Sequence, residues 1–241
     1  METKLNDLIE QYLQETWEDQ PVIASYLGLE GYDDKLGDYS ADAFARRAEW
    51  NDGWHDRFSS ITDEGLELDD QIDRDLIISA IKGGQIMRSW QAWKRDPGVY
   101  LGPGLQGIFT LFQHRLHPEE ELVSSAIARL EAIPGVIEEG KKNLDPSIAS
   151  PLFVERAAGQ CAAGVAYFRD LVPQEVKDET LRERISKAGE IASKAYEDFG
   201  SFLKDLRAKA KGDWAIGEQR YSALLIEKEK LGYGTDEMLE R

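Results

Sequence analysis

The sequence predicts an all-α protein, a multi-helix array of long antiparallel helices with no significant sheet. Apolar residues recur at helical spacing in one segment after another. Alternating β-branched runs bounded by turns, which would indicate strands, are absent. No stretch rich in proline, glycine or serine divides the chain into parts. We therefore expect a single helical domain over residues 1–241.

The first two helices are predicted on either side of a glycine-rich and aspartate-rich loop. Thr3 caps the first helix, whose face is Leu5, Leu8, Ile9, Tyr12, Leu13 and Trp17. The loop spans residues 28–38, and Ser40 caps the second helix. The face of that helix is Phe44, Arg47, Trp54, Phe58 and Ile61.

The third helix is predicted to start near Leu68. Its inward residues are Ile72, Leu76, Ile77, Ala80, Ile81, Met87 and Trp90. Gly83 and Gly84 lie inside it, and each costs about 1 kcal/mol relative to alanine. The pair indicates either a closely packed neighbouring helix or a kink.

Prolines set the predicted boundaries of the next helices. Asp96-Pro97-Gly98 is a break, Pro103 opens the fourth helix and Pro118 opens the fifth. Pro134-Gly135 interrupts the fifth helix, and Pro151 opens the following one. The predicted inward residues are Leu105, Ile108, Phe109, Phe112 and Leu116, then Leu122, Ala126, Ile127, Leu130 and Ile133, and finally Phe153, Val154, Ala157, Cys161, Val165, Phe168 and Leu171.

The longest helix is predicted from Thr180 to Lys211, and Gly212-Asp213 ends it. Its inward residues are Leu181, Ile185, Ala188, Ala192, Ala195, Phe199, Phe202, Leu203 and Leu206. A further helix carries Tyr221, Leu224, Leu225 and Lys228. Thr235 then caps a helix close to the last residue, Arg241. A start signal there without a stop signal indicates either a chain cut short within a longer protein or a short terminal helical turn.

The net charge of −17 disfavours nucleic acid as a partner, because a phosphate backbone needs a basic face. The basic residues Lys204, Arg207, Lys209 and Lys211 are interpreted as favourable charges at a helix C-terminus. No apolar run is long enough to span a membrane and no signal pattern opens the chain, so we expect a cytoplasmic protein. The single cysteine, Cys161, is predicted to be a buried, inert thiol.

Two histidine and aspartate patterns resemble metal sites but lack ligands. His114 and His117 lie near Glu120 and Glu121, yet zinc usually takes three or four ligands and Pro118 places His117 at a helix boundary. We interpret both as surface histidines.

Asp69, Asp70 and Asp73 match the DDxxD pattern that holds magnesium in helical diphosphate enzymes. No second acidic motif accompanies them, and acidic residues also suit a helix start.

Two further patterns have structural interpretations. Gly102-Pro103-Gly104-Leu105-Gln106-Gly107 spells GxGxxG, but a dinucleotide site needs a preceding strand. We predict a turn that allows close helix packing, with an anion site at that helix start as the alternative. Trp50, Trp54, Trp90 and Trp93 are predicted in the core, or alternatively along a groove. We assign no catalytic, cofactor-binding or metal-binding residue to this chain.

Four segments together resemble the bacterial family known as domain of unknown function 885. They are residues 21–29, 32–40, 217–225 and 232–239, in the family's order. Members of that family are longer and are similar to helical zinc metallopeptidases with an HExxH-type motif in the C-terminal half. The resemblance therefore implies that this chain is the N-terminal portion and that zinc is bound only in the missing C-terminal half.

These observations lead to three hypotheses for the function. The first is a non-catalytic helical domain that forms one wall of a peptide-binding cleft in a zinc metallopeptidase-like protein. Its partners would be the C-terminal half or a second copy of the chain, and peptides. The second is a stand-alone helical protein-interaction module, and the third is a magnesium-dependent diphosphate enzyme using Asp69, Asp70 and Asp73.

Overall fold

The computed structural model describes residues 2–240 of the chain. The regular structure of these residues is helical, and no strand occurs among them. The predicted all-α class is thus confirmed. The α-helices are α1 (Glu2–Asp19), α2 (Pro21–Tyr26), α3 (Ala41–Ser59), α4 (Leu68–Arg88), α5 (Ala92–Arg95), α6 (Gly98–His114), α7 (Glu119–Asn143), α8 (Pro151–Ala166), α9 (Glu179–Lys209), α10 (Glu218–Ala223) and α11 (Thr235–Glu240). Shorter turns are the π-turns Tyr167–Leu171 and Leu224–Lys228 and the 3₁₀ turn Val172–Glu175.

The chain divides into two compact units, and each is assembled from separated stretches. The first unit comprises Met1–Glu15, Asp42–Ala92 and Ala215–Arg241, and the second comprises Thr16–Ala41 and Trp93–Trp214. The single domain expected over residues 1–241 stays a prediction.

The core of the first unit lies between α1, α3 and α4. Its buried residues are Leu5, Trp54, Phe58, Leu66 and Ile81. The Glu15 carboxylate accepts hydrogen bonds from the indole nitrogens of Trp50 at 2.6 Å and Trp54 at 2.9 Å. Burial opposes ionisation of Glu15, but these bonds outweigh it and lower the pKa of Glu15. Core packing therefore accounts for Trp54, as the sequence predicts.

The inward face predicted for α4 is correct at Ile81 and, just after the helix, at Trp90, which are both buried, and it is wrong in the first part of the helix. Ile72 and Leu76 are exposed, whereas Arg74 is buried. The Arg74 guanidinium donates to the Ile61 carbonyl at 2.8 Å and pairs with Asp63 at 2.7 Å. These bonds hold α4 in a register that leaves the aliphatic residues of its first turns outside. An exposed stripe of Leu68, Ile72 and Leu76, one helical turn apart, results. We call it the α4 stripe.

The glycine pair within α4 marks a close neighbour. The helix is continuous through Gly83 and Gly84. A Cβ atom on Gly83 would lie 2.6 Å from Cδ of Lys228, in the π-turn Leu224–Lys228. The Lys82 ammonium pairs with Glu227 of that turn at 2.8 Å. Close packing, the first of the two alternatives, is therefore correct.

The second unit is built on α9. This helix begins where the Asp178 carboxylate accepts a hydrogen bond from the backbone N–H of Leu181 at 2.9 Å. It runs to Lys209, so its predicted limits are correct to within two residues. Most of its predicted inward residues are buried, and they are Ile185, Ala188, Ala192, Ala195, Phe199, Leu203 and Leu206.

Two proline boundaries were predicted wrongly. Helix α6 begins at Gly98 rather than Pro103, because the Asp96 carboxylate accepts a hydrogen bond from the Gly98 N–H at 2.8 Å. Helix α7 is uninterrupted through Pro134. Ile133 and Ile137, on either side of that proline, are buried, and their burial outweighs the lost backbone bond.

Outside α4, residues predicted to face inward but found exposed include Phe109, Leu116 and Leu171. Leu116 follows Arg115, which adopts the left-handed conformation (φ 48°) and ends α6. The π-turn that ends in Leu171 adds a residue to the helical turn and buries Val172 instead. No helix between residues 2 and 240 combines the length and the apolar character needed to cross a membrane.

Candidate functional site

A buried arginine organises the loop between α2 and α3. Arg129, on α7, has no solvent-exposed surface. Its guanidinium donates to the carbonyls of Lys35 at 3.0 Å, Gly107 at 2.6 Å and Tyr32 at 3.2 Å. It therefore joins the loop to α6 and α7. Burial lowers the pKa of Arg129 to about 10, while the charges of Asp33 and Asp34 act in the opposite direction.

A polar cluster lies on the part of this loop that Arg129 fixes. The Ser25 hydroxyl donates to the Asp33 carboxylate. Nε2 of His117 lies 3.3 Å from the same carboxylate, and Nδ1 of His117 lies 3.8 Å from the Glu121 carboxylate. In a catalytic triad the serine hydroxyl bonds the histidine, whereas here Ser25 and His117 both contact Asp33. The cluster suits binding rather than nucleophilic attack.

An open cleft of about 490 Å³ is formed around this cluster. Its lining residues are Gly31, Asp33, Asp34, Lys35, His117, Glu121, Ser124, Ser125 and Ala128. Three carboxylates face one ammonium group, that of Lys35, which donates to the Gly31 carbonyl at 3.1 Å. The cleft therefore favours a cationic ligand. We call it the acidic cleft.

Exposed apolar residues lie directly beside the acidic cleft. Tyr26, Leu27 and Leu116 are each more than half exposed. Leu116 shares a small cavity with Asp33 and His117, and a Cβ atom on Gly28 would lie 3.4 Å from Cδ1 of Leu116. The Tyr26 ring is 5.6 Å from that of His114. We call Tyr26, Leu27 and Leu116 the apolar ridge.

His114 and His117 both line the small cavity beside Asp33, but they contact different partners. His114 ends α6 and contacts Tyr26, whereas His117 faces Asp33 and Glu121. Asp33 was not predicted as part of this group, because its contact with His117 depends on the tertiary fold. The aspartates of residues 33–34 within a glycine loop were the only signal in the sequence.

The residues of the other sequence patterns do not line the acidic cleft. Asp69 and Asp73 are exposed at the start of α4, and Asp70 is half-buried. Gly102 to Gly107 lie inside α6 rather than in a turn, which corrects that prediction. Close packing was predicted correctly, since a Cβ atom on Gly104 would lie 2.9 Å from the Tyr196 hydroxyl. Trp90 is buried and donates to the Ala215 carbonyl at 3.3 Å.

Within the described part of the chain, three or more His, Cys, Asp or Glu side chains nowhere form a group able to hold a metal ion. The acidic cleft has one imidazole between two carboxylates, a set that does not match the closer zinc coordination seen in proteins. We derive no step of chemistry through a metal at this site.

Comparison with known proteins gives a family and a fold. The sequence profile of the family "Bacterial protein of unknown function (DUF885)" matches residues 21–241. A solved structure from Shewanella oneidensis, of a protein of unknown function proposed to be a lipoprotein, has a TM-score of 0.81 at 18% identity. That match covers 98% of this chain and 44% of that chain, so this chain spans less than half the length of that protein. No curated protein matches the chain.

Proposed function

Because the chain belongs to the bacterial DUF885 family, as the match over residues 21–241 shows, we propose that it forms one wall of a peptide-binding cleft in a longer, zinc metallopeptidase-like protein. In this proposal the chain binds and orients a peptide but performs no chemistry. The zinc ion is held by the C-terminal half that the family resemblance implies. The acidic cleft beside the apolar ridge is the observation that supports this role.

The acidic cleft suits the free amino terminus of a peptide. An ammonium group offers three hydrogen-bond donors and a positive charge. The Asp33 carboxylate is already engaged by Ser25 and His117, which holds it in place. The carboxylates of Asp34 and Glu121 are more exposed and remain accessible to such a ligand.

The apolar ridge suits the first side chain of the same peptide. Its residues present aromatic and aliphatic surface next to the cavity that Leu116 shares with Asp33. A large apolar side chain beside a charged amino group would bury this surface, at roughly 25 cal/mol per Å² of apolar area. We therefore propose peptides with a free amino terminus and a large apolar first residue.

Calorimetric titration with short peptides tests this role. We expect a peptide that begins with leucine to bind, and its N-acetylated form to bind at least tenfold more weakly. Asp34→Asn and Glu121→Gln should each weaken binding several-fold, because each removes a carboxylate from the acidic cleft. Glu120→Gln is the matched control, since Glu120 neighbours Glu121 without lining the cleft.

Three results would contradict the peptide proposal. One is equal affinity for the acetylated and free peptides, which would show that the carboxylates do not recognise the amino group. Another is an equal loss of affinity in Glu120→Gln, which would indicate a general charge effect. Absence of peptide binding by a protein with native helicity would also rule it out.

The α4 stripe provides a surface for the partner. We propose that it contacts the remainder of the longer protein, since a structure that this chain matches over 98% of its length extends well beyond it. Three exposed aliphatic residues on one helix face are typical of a covered surface. A second copy of the chain is the competing occupant.

Light scattering on this chain distinguishes the two occupants. If the chain is a monomer at all concentrations, and if it binds the hydrophobic dye ANS through the α4 stripe, then Ile72→Ser should abolish dye binding. This result supports the remainder of the protein as the occupant. Leu152→Ser, on α8, is the control for an exposed leucine outside the stripe. A dimer that Ile72→Ser dissociates would assign the stripe to a second copy instead.

A further inference from the structure

A separate cavity in the first unit combines apolar walls with positive charge. Its volume is about 400 Å³, within the range typical of small-molecule sites. The lining residues are Lys4, Leu5, Leu8, Arg57, Ser60, Ile61, Thr62 and Leu66. They include two cations and no carboxylate, in a chain whose net charge is −17. We call this the α1–α3 cavity.

The floor of the α1–α3 cavity is part of the hydrophobic core. Leu5 and Leu66 belong to the buried cluster of the first unit, and Leu8 and Ile61 pack against it. Residues of a close-packed core hold fixed positions, so the apolar walls are preformed. A ligand with an aliphatic chain would gain apolar burial there without a large rearrangement.

The cation at the mouth of the cavity is positioned by an aromatic ring. The Arg57 guanidinium carbon lies 4.6 Å from the centre of the Trp54 ring, a cation–π contact. The Trp54 indole in turn donates to Glu15 at 2.9 Å, which fixes the plane of the ring. Because the guanidinium rests on a fixed surface, less of its side-chain entropy is lost when it binds an anion.

From this combination we infer that the α1–α3 cavity binds a small amphipathic carboxylate, such as a medium-chain fatty acid anion. The aliphatic chain lies against Leu5, Leu8 and Leu66, and the carboxylate faces Arg57 and Lys4. The guanidinium group matches a carboxylate with two parallel hydrogen bonds. This site is independent of the acidic cleft, which belongs to the other unit and favours the opposite charge.

Isothermal titration with decanoate, decanol and decylamine tests the inference. We expect decanoate to bind, with decanol and decylamine each at least tenfold weaker. Hexanoate should bind more weakly than decanoate because it buries less aliphatic chain. Arg57→Gln should weaken decanoate binding at least fivefold, and Lys4→Gln should weaken it to a smaller extent. Lys187→Gln, an exposed site on α9, is the control for the loss of one positive charge.

Three outcomes would overturn the inference. Absence of decanoate binding up to about 1 mM, a free energy weaker than roughly −4 kcal/mol, would exclude a useful site. Equal affinity for decanol, or no effect of Arg57→Gln, would show that no carboxylate is recognised. Tighter binding of a peptide that ends in leucine, with the same dependence on Arg57, would assign the cavity to a peptide C-terminus. Asp34→Asn should leave decanoate binding unchanged, which separates this test from that of the acidic cleft.

Discussion

Arg129 is the residue on which the acidic cleft depends most. Its guanidinium is buried and joins α7 to two carbonyls of the loop and one of α6. A buried charge is costly to desolvate, and hydrogen bonds must offset that cost. Arg129 therefore supports from beneath the loop that carries Asp33 and Asp34.

Replacing Arg129 should disrupt both stability and the cleft. We expect Arg129→Met to lower the free energy of unfolding by about 3 kcal/mol, because three carbonyls lose their donor. Urea denaturation measures the change, and Arg184→Met, at an exposed position of α9, is the control. A variant of unchanged stability would show that water replaces the guanidinium at no cost.

Cys161 is expected to be unreactive in the folded protein. It is 3% exposed, and burial raises the pKa of its thiol to about 12. Because the thiolate is the reactive form, DTNB should label the native protein far more slowly than the protein in guanidinium chloride. Rapid stoichiometric labelling under native conditions would mean that α8 opens frequently.

Asp52 gives a stability that depends on pH. Arg88 donates two hydrogen bonds of 2.8 Å to its carboxylate, and these lower the pKa of Asp52 to about 2, from 3.8. A lowered pKa stabilises the fold above the unfolded pKa, and that contribution is lost as the pH falls through about 2.

We therefore expect Asp52→Asn to destabilise the protein at pH 7 and to have a progressively smaller effect between about pH 4 and pH 2. Since half of the Asp52 side chain is exposed, solvent screening limits the effect to about 1 kcal/mol. Urea midpoints measured across this pH range give the difference. A difference that does not vary with pH would point to packing rather than charge.

At the scale of the element, α7 offers two glycines with opposite expectations. A Cβ atom on Gly140 would lie 2.7 Å from the Tyr100 ring, whereas nothing lies within 4 Å of the same position on Gly135. Gly140→Ala should destabilise the protein by about 1–3 kcal/mol through overpacking. Gly135→Ala should stabilise it by up to about 1 kcal/mol through helix propensity. Thermal unfolding compares the two, and equal effects would contradict the packing described at Gly140.

The sequence predicted helices better than it predicted their boundaries and faces. The long α9 follows from a regular apolar pattern with a capping aspartate close to the predicted start. The predicted break at Pro134 was wrong. A sequence pattern shows the backbone hydrogen bond that proline cannot donate, but it does not show the burial of Ile133 and Ile137, which depends on packing against other helices. The exposed face of α4 has the same origin, since the bonds of Arg74 to Ile61 and Asp63 cannot be read from periodicity.

The candidate site was only partly predictable. His117 and Glu121 were noted near the same helix boundary because they are neighbours in the sequence, but the histidine was interpreted as a surface residue. The contact of Asp33 with His117, and the position of Arg129 beneath the loop, depend on the tertiary fold. They could not be predicted from the sequence. Arg129 occurs within an apolar stretch of α7, where a single-sequence pattern treats it as solvent-facing.

At the scale of the whole molecule, an excess of carboxylates opposes the compact state. The chain has 46 acidic and 29 basic residues. Because salt screens repulsion between exposed like charges, we expect the melting temperature to rise by a few degrees between about 0.02 M and 0.5 M sodium chloride at pH 7. Scanning calorimetry measures this shift, which should shrink near pH 5 as carboxylates begin to protonate. A lower melting temperature in salt would mean that the surface ion pairs contribute more than the net charge.

The interleaving of the two units has a consequence for biosynthesis. Stretches of the first unit occur at the beginning, middle and end of the chain, and the second unit requires Thr16–Ala41 as well as Trp93–Trp214. On the ribosome, α1, α3 and α4 emerge long before the segment that packs against Gly83. The second unit cannot complete its core before Trp93–Trp214 has been translated, and the segment that packs against Gly83 follows later still, so the growing chain exposes apolar helix faces over most of these 241 residues. We therefore expect its yield in the cell to depend on chaperones or fast late folding more than that of a protein whose domains emerge one after another.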